Sequence, residues 1–432
     1  MPVVRPAPSA PPAVRIAVRV RRSRAALPLL VCVLYAVLQF AAGPHWTLFP
    51  DSYRYARTAE RYLGASPAEA HRTALAAFCA ARADRSAHDL RLQPTTRRSE
   101  HALKAAAERA CLDRWADAED VTTADPRYQS IFAGRPGYPL LAAPFIKAFG
   151  VSKGMRLLGL LTAEAGALLV FGLLRAAGLT RPAALLGQVA FLATPLGWWS
   201  AQALSEGLFT VCVLGVLWGG LLLLRRRSLP KAAAFTAVAY VAGAVTRYSS
   251  VLVLGAFLAA VTAGALCFSA PLRHRGTVVL AGLSAVAAGG VAVAMKVLGL
   301  PSSQVTLQDT FTHHFDTPEV ADPWGRLLRL AAGFWRDWAA QQAELPYFLV
   351  LTALAVWALV RYGEGLGLLA LATALTGVCL VTAHPLVQES ERLGILMWTP
   401  LVLGLPLVVD RHWTARPVRE LELRCAGVSD SR

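Results

Sequence analysis

Apolar stretches of about 20 residues recur along most of the 432-residue chain, and one long polar stretch interrupts them near the start. A helix needs that length to cross a hydrocarbon core of ~30 Å, at ~1.5 Å per residue. Runs near 154–176, 180–198, 204–224, 232–246, 249–268, 277–297, 345–361, 366–383 and 393–409 predict nine spans, and Ala25–Ala42 predicts a tenth. The expected fold is all-α, a polytopic transmembrane bundle of about ten spans with a helical first outer loop.

The polar stretch, roughly 44–153, holds twelve of the 27 acidic residues. Within it Tyr138–Phe149 is apolar but reaches only ~18 Å as a helix, too short to cross. Charge parity points the same way. If that piece does not span, Arg175/Arg181, Arg225-Arg226-Arg227, Arg273/Arg275, Arg361 and the tail from Arg411 all fall on the cytoplasmic side. Counting it as a span would put Arg225-Arg226-Arg227 outside, against the positive-inside rule. Tyr138–Phe149 is therefore expected to lie along the outer surface as a juxtamembrane helix.

Six arginines and no acid precede the first apolar run. A cleaved signal peptide has that pattern too, but the run is long and Ala41-Ala42-Gly43-Pro44 is a poor cleavage site. A retained span with both termini cytoplasmic, in a plasma membrane, is the expectation. The chain then divides into a basic terminus (1–25), a first span (26–43), a first outer loop (44–153), six spans (154–298), a second outer loop (299–344), three spans (345–409) and a tail (410–432). Asp322–Gln341 in the second loop reads as an interfacial helix, with Leu327, Leu328, Leu330, Ala331, Phe334, Trp335 and Trp338 as its apolar face.

Composition changes the picture in one respect. The chain is 55% hydrophobic and 16% charged, with a formal net charge of +16. Many of the basic residues cluster at the ends of apolar runs, where they orient a membrane protein, and no basic patch coincides with a soluble recognition module. Nucleic acid is excluded as a partner; a lipid bilayer is required.

Cys32, Cys212, Cys267 and Cys379 lie within spans as small apolar fillers, and Cys425 lies in the tail. Cys79 and Cys111 fall in the outer loop on two Ala-rich helical stretches, about 67–82 and 99–116. A helical hairpin would bring them together in a compartment that permits oxidation. The alternative is two unpaired thiols; no C-x-x-C spacing supports zinc.

Candidate chemistry lies in outer-side charges that break the orientation rule. Arg247, in Thr246-Arg247-Tyr248-Ser249, sits between two spans, and Arg392, in Glu389-Ser390-Glu391-Arg392, starts the last span. A guanidinium there calls for an anionic partner, either a phosphate or a neighbouring acid such as Glu389 or Glu391. Asp51, in Phe49-Pro50-Asp51-Ser52-Tyr53-Arg54-Tyr55, follows the first span at the outer surface. It reads as a general base or metal-holding carboxylate, or alone as a helix cap. Glu206 opens a span from outside, where a carboxylate also suits a helix amino terminus. Glu164 lies deep in the second span, paired with a neighbouring helix or lining a cavity. His313, His314 and Asp316 offer ligand chemistry, although adjacent histidines do not easily face one ion from a helix.

These residues converge on a pattern that resembles the GT-C superfamily of integral-membrane glycosyltransferases, which use polyprenyl-phosphate sugars and include the protein O-mannosyltransferases and aminoarabinose-lipid transferases. Asp51-Ser52-Tyr53 with Tyr55 and Ala59 is similar to the acidic motif opening that family's first outer loop. Arg135-Pro136-Gly137-Tyr138-Pro139-Leu140-Leu141 with Phe149-Gly150 resembles its juxtamembrane segment. Glu206 after Thr194-Pro195 resembles a recurring span boundary, and Arg247 and Arg392 match places where relatives hold basic residues near the donor phosphate. The likeness covers about 26–409. Ser52 departs from it, standing where many relatives have a second acid, and the insertion at about 66–122 has no counterpart in the pattern.

The resemblance implies an inverting transferase with Asp51 as catalytic base and Arg247 and Arg392 on the donor phosphate. Tyr53, Tyr55, Arg135, Tyr138 and Glu206 would support the substrate site. The donor would be a polyprenyl-phosphate-linked sugar, mannose or another hexose or pentose, and the acceptor an envelope lipid, glycan or protein hydroxyl. No cofactor is implied beyond a divalent metal, left open. A multi-pass transporter or lipid flippase would instead show matched halves and charges toward both faces. A non-catalytic envelope-assembly subunit would keep the arginines merely paired.

Overall fold

The computed structural model describes residues 12–41, 46–95 and 97–411. The first part of the expected basic terminus, the expected boundary at 43/44, and the tail from 412 with Cys425 lie outside the described residues. Every regular element among the described residues is a helix.

The first unit, Met1–Gly43, contains α1 (Pro12–Ala41), whose apolar part is Ala26–Ala41. The second unit, Pro44–Arg432, holds everything else described. Its outer layer begins with α2 (Pro50–Tyr62), where Pro50 at the first helical position and Asp51 in the first turn suit a helix start. Next comes α3 (Pro67–Arg91), opened by a capping box in which Glu69 N donates to Ser66 Oγ and Ser66 N to Glu69 Oε2. Ser66 Oγ, which donates to Glu69 Oε2 at 2.8 Å, and then Ser66 N hold the Glu69 carboxyl below its usual range. Helix α4 (Glu100–Trp115) packs back along α3, and the Cys79–Cys111 disulfide closes the hairpin, with Cα atoms 5.6 Å apart. Helices α5 (Pro126–Ala133) and α6 (Gly137–Phe149) complete the layer, and α6 packs on α2 and on α7 (Val151–Ala176). The core of this layer is built by Leu48, Tyr53, Tyr55, Phe78, Tyr138 and Met155.

Behind it stand α8 (Arg181–Ala193), α9 (Pro195–Ser200), α10 (Ser205–Leu224), α11 (Leu229–Phe268) and α12 (Arg275–Val297). They are followed by α13 (Ser303–Phe311), α14 (Pro323–Glu344), α15 (Tyr347–Tyr362), α16 (Gly365–Ala383), α17 (Val387–Leu393) and α18 (Ile395–Arg411). Helix α11 packs against α10, α12 and α16 around a core of Leu217, Leu254, Leu280 and Leu369. Val238, Val241, Val286 and Val293 stay exposed, as lipid-facing side chains do.

Five helices, α7, α10, α11, α12 and α16, are long and apolar enough to cross a membrane, or up to seven if each bent pair is one span. The bent pairs are α14 with α15, at 96°, and α17 with α18, at 53°. The difference from ten expected spans has three sources. The run at 180–198 breaks at Thr194, which is extended before Pro195, leaving α8 at 13 residues. The apolar part of α1 is likewise short. The two expected spans at 232–246 and 249–268 form the single 40-residue α11, interrupted only at Arg247, whose φ of −151° and ψ of 77° are not helical. Forty residues extend ~60 Å, about twice a hydrocarbon core, so this one break leaves a stretch of spanning length on either side. Helix α14 meets α15 at a 96° bend, with Leu327 and Ala331 buried against the protein and Leu328 exposed.

Candidate functional site

Three helix ends meet the break in a fourth helix. Phe49 occupies the cap position of α2, which frees Asp51, one residue into the helix, for tertiary contacts. The first turn is pinned by Ser52, fully buried: Phe49 N donates to Ser52 Oγ at 3.0 Å, and Ser52 Oγ donates to Ala203 O at 2.8 Å. That bond ties α2 to the turn leading into α10, whose first turn carries Glu206. Arg247 reaches the same place from the break in α11, and Arg392 from the last turn of α17.

The side chains form one ion-pair network. Arg392 Nη1 lies 2.9 Å from Asp51 Oδ2, Arg392 Nη2 2.9 Å from Glu389 Oε2, and Arg392 Nε 3.3 Å from Glu206 Oε1. Arg247 Nη1 lies 2.7 Å from the same Glu206 oxygen and donates to Ser205 Oγ at 3.3 Å. Tyr55 OH donates to Ser205 Oγ at 3.0 Å. Burial, followed by the Asp51 charge, pushes the Tyr55 phenol up, so Tyr55 is a neutral donor here. Glu206 is 5% exposed, Asp51 18% and Glu389 37%, so the cluster opens toward Asp51 and Glu389.

Asp51 is also held from behind. Arg54, fully buried, places Nη1 3.5 Å from Asp51 Oδ1 and forks onto Asp120 through Nε at 3.2 Å and Nη2 at 2.6 Å. Its guanidinium lies 4.6 Å from the Tyr128 ring centroid and 4.4 Å from that of Phe132. Such forked pairing and ring stacking compensate a buried guanidinium for lost water.

The structure therefore brings Asp51, Glu206, Arg247, Arg392 and Tyr55 together. Tyr138 stacks on Tyr55 with centroids 5.0 Å apart, and burial pushes its hydroxyl up, with no hydrogen-bond partner among the described residues. Arg135 has no carboxylate partner among the described residues, and its Nε is buried and unpaired. Tyr53 points elsewhere: its hydroxyl meets His71 Nδ1 at 2.7 Å, and its ring meets Phe78 in the α3–α4 hairpin. Glu164 sits half-buried in α7, outside the network. The ligand chemistry of His313, His314 and Asp316 does not assemble. His314 Nδ1 meets Asp309 Oδ1 at 2.9 Å and its ring stacks on Tyr128, while His313, His314 and Phe315 all have positive φ and turn successive side chains apart.

Sequence reasoning missed Ser205, the Arg54–Asp120 fork, and the extension through His384, whose Nε2 lies 3.5 Å from Glu389 Oε2 and whose Nδ1 meets Thr310 Oγ1 at 2.8 Å. Arg54 carried a usable signal, since it stands one helical turn from Asp51. His384 and Ser205 carried none.

The three carboxylates of the cluster face guanidiniums rather than one another. Among the described residues no group of three or more His, Cys, Asp or Glu is arranged to hold a metal ion. This donor set does not fit a divalent cation, and no step is derived through one. Comparison with protein-family models, curated proteins and solved structures finds no match to this chain.

Proposed function

We propose that the chain is a membrane glycosyltransferase that moves a sugar from a polyprenyl-phosphate donor to a hydroxyl of an envelope lipid, glycan or protein at the outer membrane face. The observation that carries this reading is the convergence of Asp51, Glu206, Arg247 and Arg392, from four helices, on one cluster at the end of the apolar α10. Its general-base candidate, Asp51, is more open than Glu206, the carboxylate that holds both arginines. That order suits a donor whose phosphate sits near the membrane and an acceptor that arrives from outside.

In this reading the acceptor hydroxyl gives its proton to Asp51 as its oxygen attacks the anomeric carbon. The bond from that carbon to the phosphate oxygen breaks, and the phosphate leaves with the electron pair. Arg247 and Arg392 stabilise the charge that develops on it, sharing their donors between Glu206 and the leaving group. The proposal carries with it a plasma-membrane location, about ten spans with α11 supplying two, and both termini cytoplasmic.

A second reading, a non-catalytic envelope-assembly subunit, is favoured by one observation: both arginines are already engaged by carboxylates. The two part on lipid content. Mass spectrometry of lipids co-purifying with the wild type should find a polyprenyl phosphate or its glycosyl form, lost in Arg247→Ala. Bulk phospholipid alone, identical in both proteins, would rule for the assembly subunit.

A further inference from the structure

The inserted hairpin walls off a cavity of about 590 Å³ beside the ion-pair cluster, a size usual for small-ligand sites. One wall is a face of α2 carrying Arg54, Arg57 and Arg61 at helical spacing; the start of α3 contributes His71, and α5 contributes Gln129 and Phe132. The remaining wall is the segment after α4, with Asp117 and Glu119. Two polar groups here have unused capacity. His71 Nε2 is buried without a partner, its Nδ1 being committed to Tyr53. Arg61 makes no ion pair among the described residues. Arg57, by contrast, is spent on Glu119 O at 2.7 Å, Gln129 Oε1 at 2.8 Å and Asp120 Oδ2 at 3.4 Å.

The charges decide what such a cavity takes. Arg54, Arg57 and Arg61 are matched by Asp117, Glu119 and, just behind the wall, Asp120. With His71 counted neutral, the formal sum is zero, so neither an anion nor a cation is selected. What remains is a dense set of planar donors and acceptors around one aromatic ring. Hydroxyls both donate and accept, and neighbouring hydroxyls match the forks of guanidinium, carboxylate and carboxamide. A peptide is poorly served. Peptide-binding sites use a sheet edge, an apolar or aromatic groove, or an arginine cluster facing an acidic motif; the apolar lining here is Phe132, Pro67 and alanines, and the arginines are matched by acids.

Arg54 links the cavity to the cluster, because it lines the cavity and also stands 3.5 Å from Asp51. We propose that this cavity binds a neutral saccharide and holds the glycan end of the acceptor, so that a hydroxyl further along the glycan reaches Asp51. The inference rests on the glycosyltransferase reading for the acceptor role, while saccharide binding itself stands on the cavity.

The test is saturation-transfer NMR on the full chain in lipid nanodiscs, with mannotriose, maltotriose and chitotriose as probes and a Ser/Thr-rich hexapeptide alongside. Transfer to at least one trisaccharide is expected, reduced at least fivefold in Arg61→Ala and in His71→Asn. Arg61 has no ion-pair partner to lose among the described residues, and asparagine keeps a polar atom for Tyr53 OH, so both variants should keep the wild-type unfolding midpoint; if one does not, the other is read. No transfer to any trisaccharide, equal transfer in wild type and variants, or transfer to the peptide alone overturns the inference. The transferase reading fails separately. Trisaccharide binding by a wild type that retains no polyprenyl phosphate supports the saccharide site and overturns its acceptor role. Polyprenyl phosphate retained without trisaccharide binding overturns the cavity inference alone.

Discussion

Arg392 Nη1 lies 2.9 Å from Asp51 Oδ2 although 341 positions separate the two residues in the chain. One guanidinium thereby joins the first polar turn after the first apolar run to the helix that leads into the last. Because Arg392 also contacts Glu389 and Glu206, it faces three carboxylates at once. A planar fork with fixed donor directions suits that task better than a point charge.

Removing Arg392 would leave those carboxylates facing one another with little water to screen them. Breaking a buried pair by deleting one partner costs on the order of 3–5 kcal/mol. Arg392→Ala is expected to lower the thermal unfolding midpoint clearly, and Arg392→Lys to recover only part, since one ammonium cannot meet all three acids. A midpoint for Arg392→Ala within about 1 °C of the wild type would mean that the network contributes little to stability.

Asp51→Asn separates chemistry from architecture. The amide keeps an oxygen for Arg392 and the same shape, so the fold should hold. A side chain that no longer accepts a proton forfeits the general-base contribution, typically about 10²–10⁴-fold in rate. Transfer of radiolabelled sugar from polyprenyl phosphate should fall by at least ~10²-fold with the unfolding midpoint little changed. Unchanged transfer would remove Asp51 from the reaction.

The helical class, the short helix at Gly137–Phe149 and the Cys79–Cys111 pairing were legible because each depends on local pattern: run length, and alanine-rich helices with a cysteine on each. Span boundaries were less so. The break at Arg247 was legible, between the expected spans 232–246 and 249–268, but hydropathy does not register how the chain recovers after Pro195. Of the site, the charged residues stood out against the apolar background, but their pairing did not. Arg247 shows no acid nearby in sequence, and its partner Glu206 is 41 positions away. The same applies to His384 and Ser205, whose roles exist only through contacts made by the fold.

The disulfide should matter to the hairpin more than to the bundle. It closes a sequence separation of 32 residues, for which chain-entropy reasoning gives about 3–4 kcal/mol. Cys79→Ser with Cys111→Ser is expected to make α3 and α4 sensitive to limited proteolysis while α10 and α11 stay protected. Alkylation of the unreduced wild type should leave both cysteines unlabelled. Label on either would show that the pair is not closed in the isolated protein.

Acid should loosen the start of α5. Asp125 caps that helix by accepting from Arg127 N at 2.8 Å, and its hydrogen bonds to Arg127 hold its carboxyl below the usual range. A depressed folded pKa means that the contribution is present above the unfolded value, near ~3.9, and is lost as pH falls through the folded value. Hydrogen-exchange protection at the start of α5 should therefore drop below about pH 4. In Asp125→Asn, where the amide still caps but does not titrate, that drop should vanish; its persistence would place the acid sensitivity elsewhere.

Gly137 is where α6 touches the break in α11. A Cβ there would stand 2.9 Å from Thr246 Oγ1 and 3.1 Å from both Thr246 N and Val245 C. Two of those neighbours are backbone, which cannot swing aside, so the start of α6 or the segment carrying Arg247 must shift. Gly137→Ala is thus expected to pull Arg247 off Glu206, now 2.7 Å away, and to reduce polyprenyl-phosphate retention. Gly289→Ala in α12 is the control, because a Cβ there meets nothing within 4 Å and alanine is the better helix former by roughly 0.5–1 kcal/mol. The control should match or exceed the wild-type unfolding midpoint and retain as much lipid. If both variants behave alike, the close approach of α6 does not set the position of Arg247.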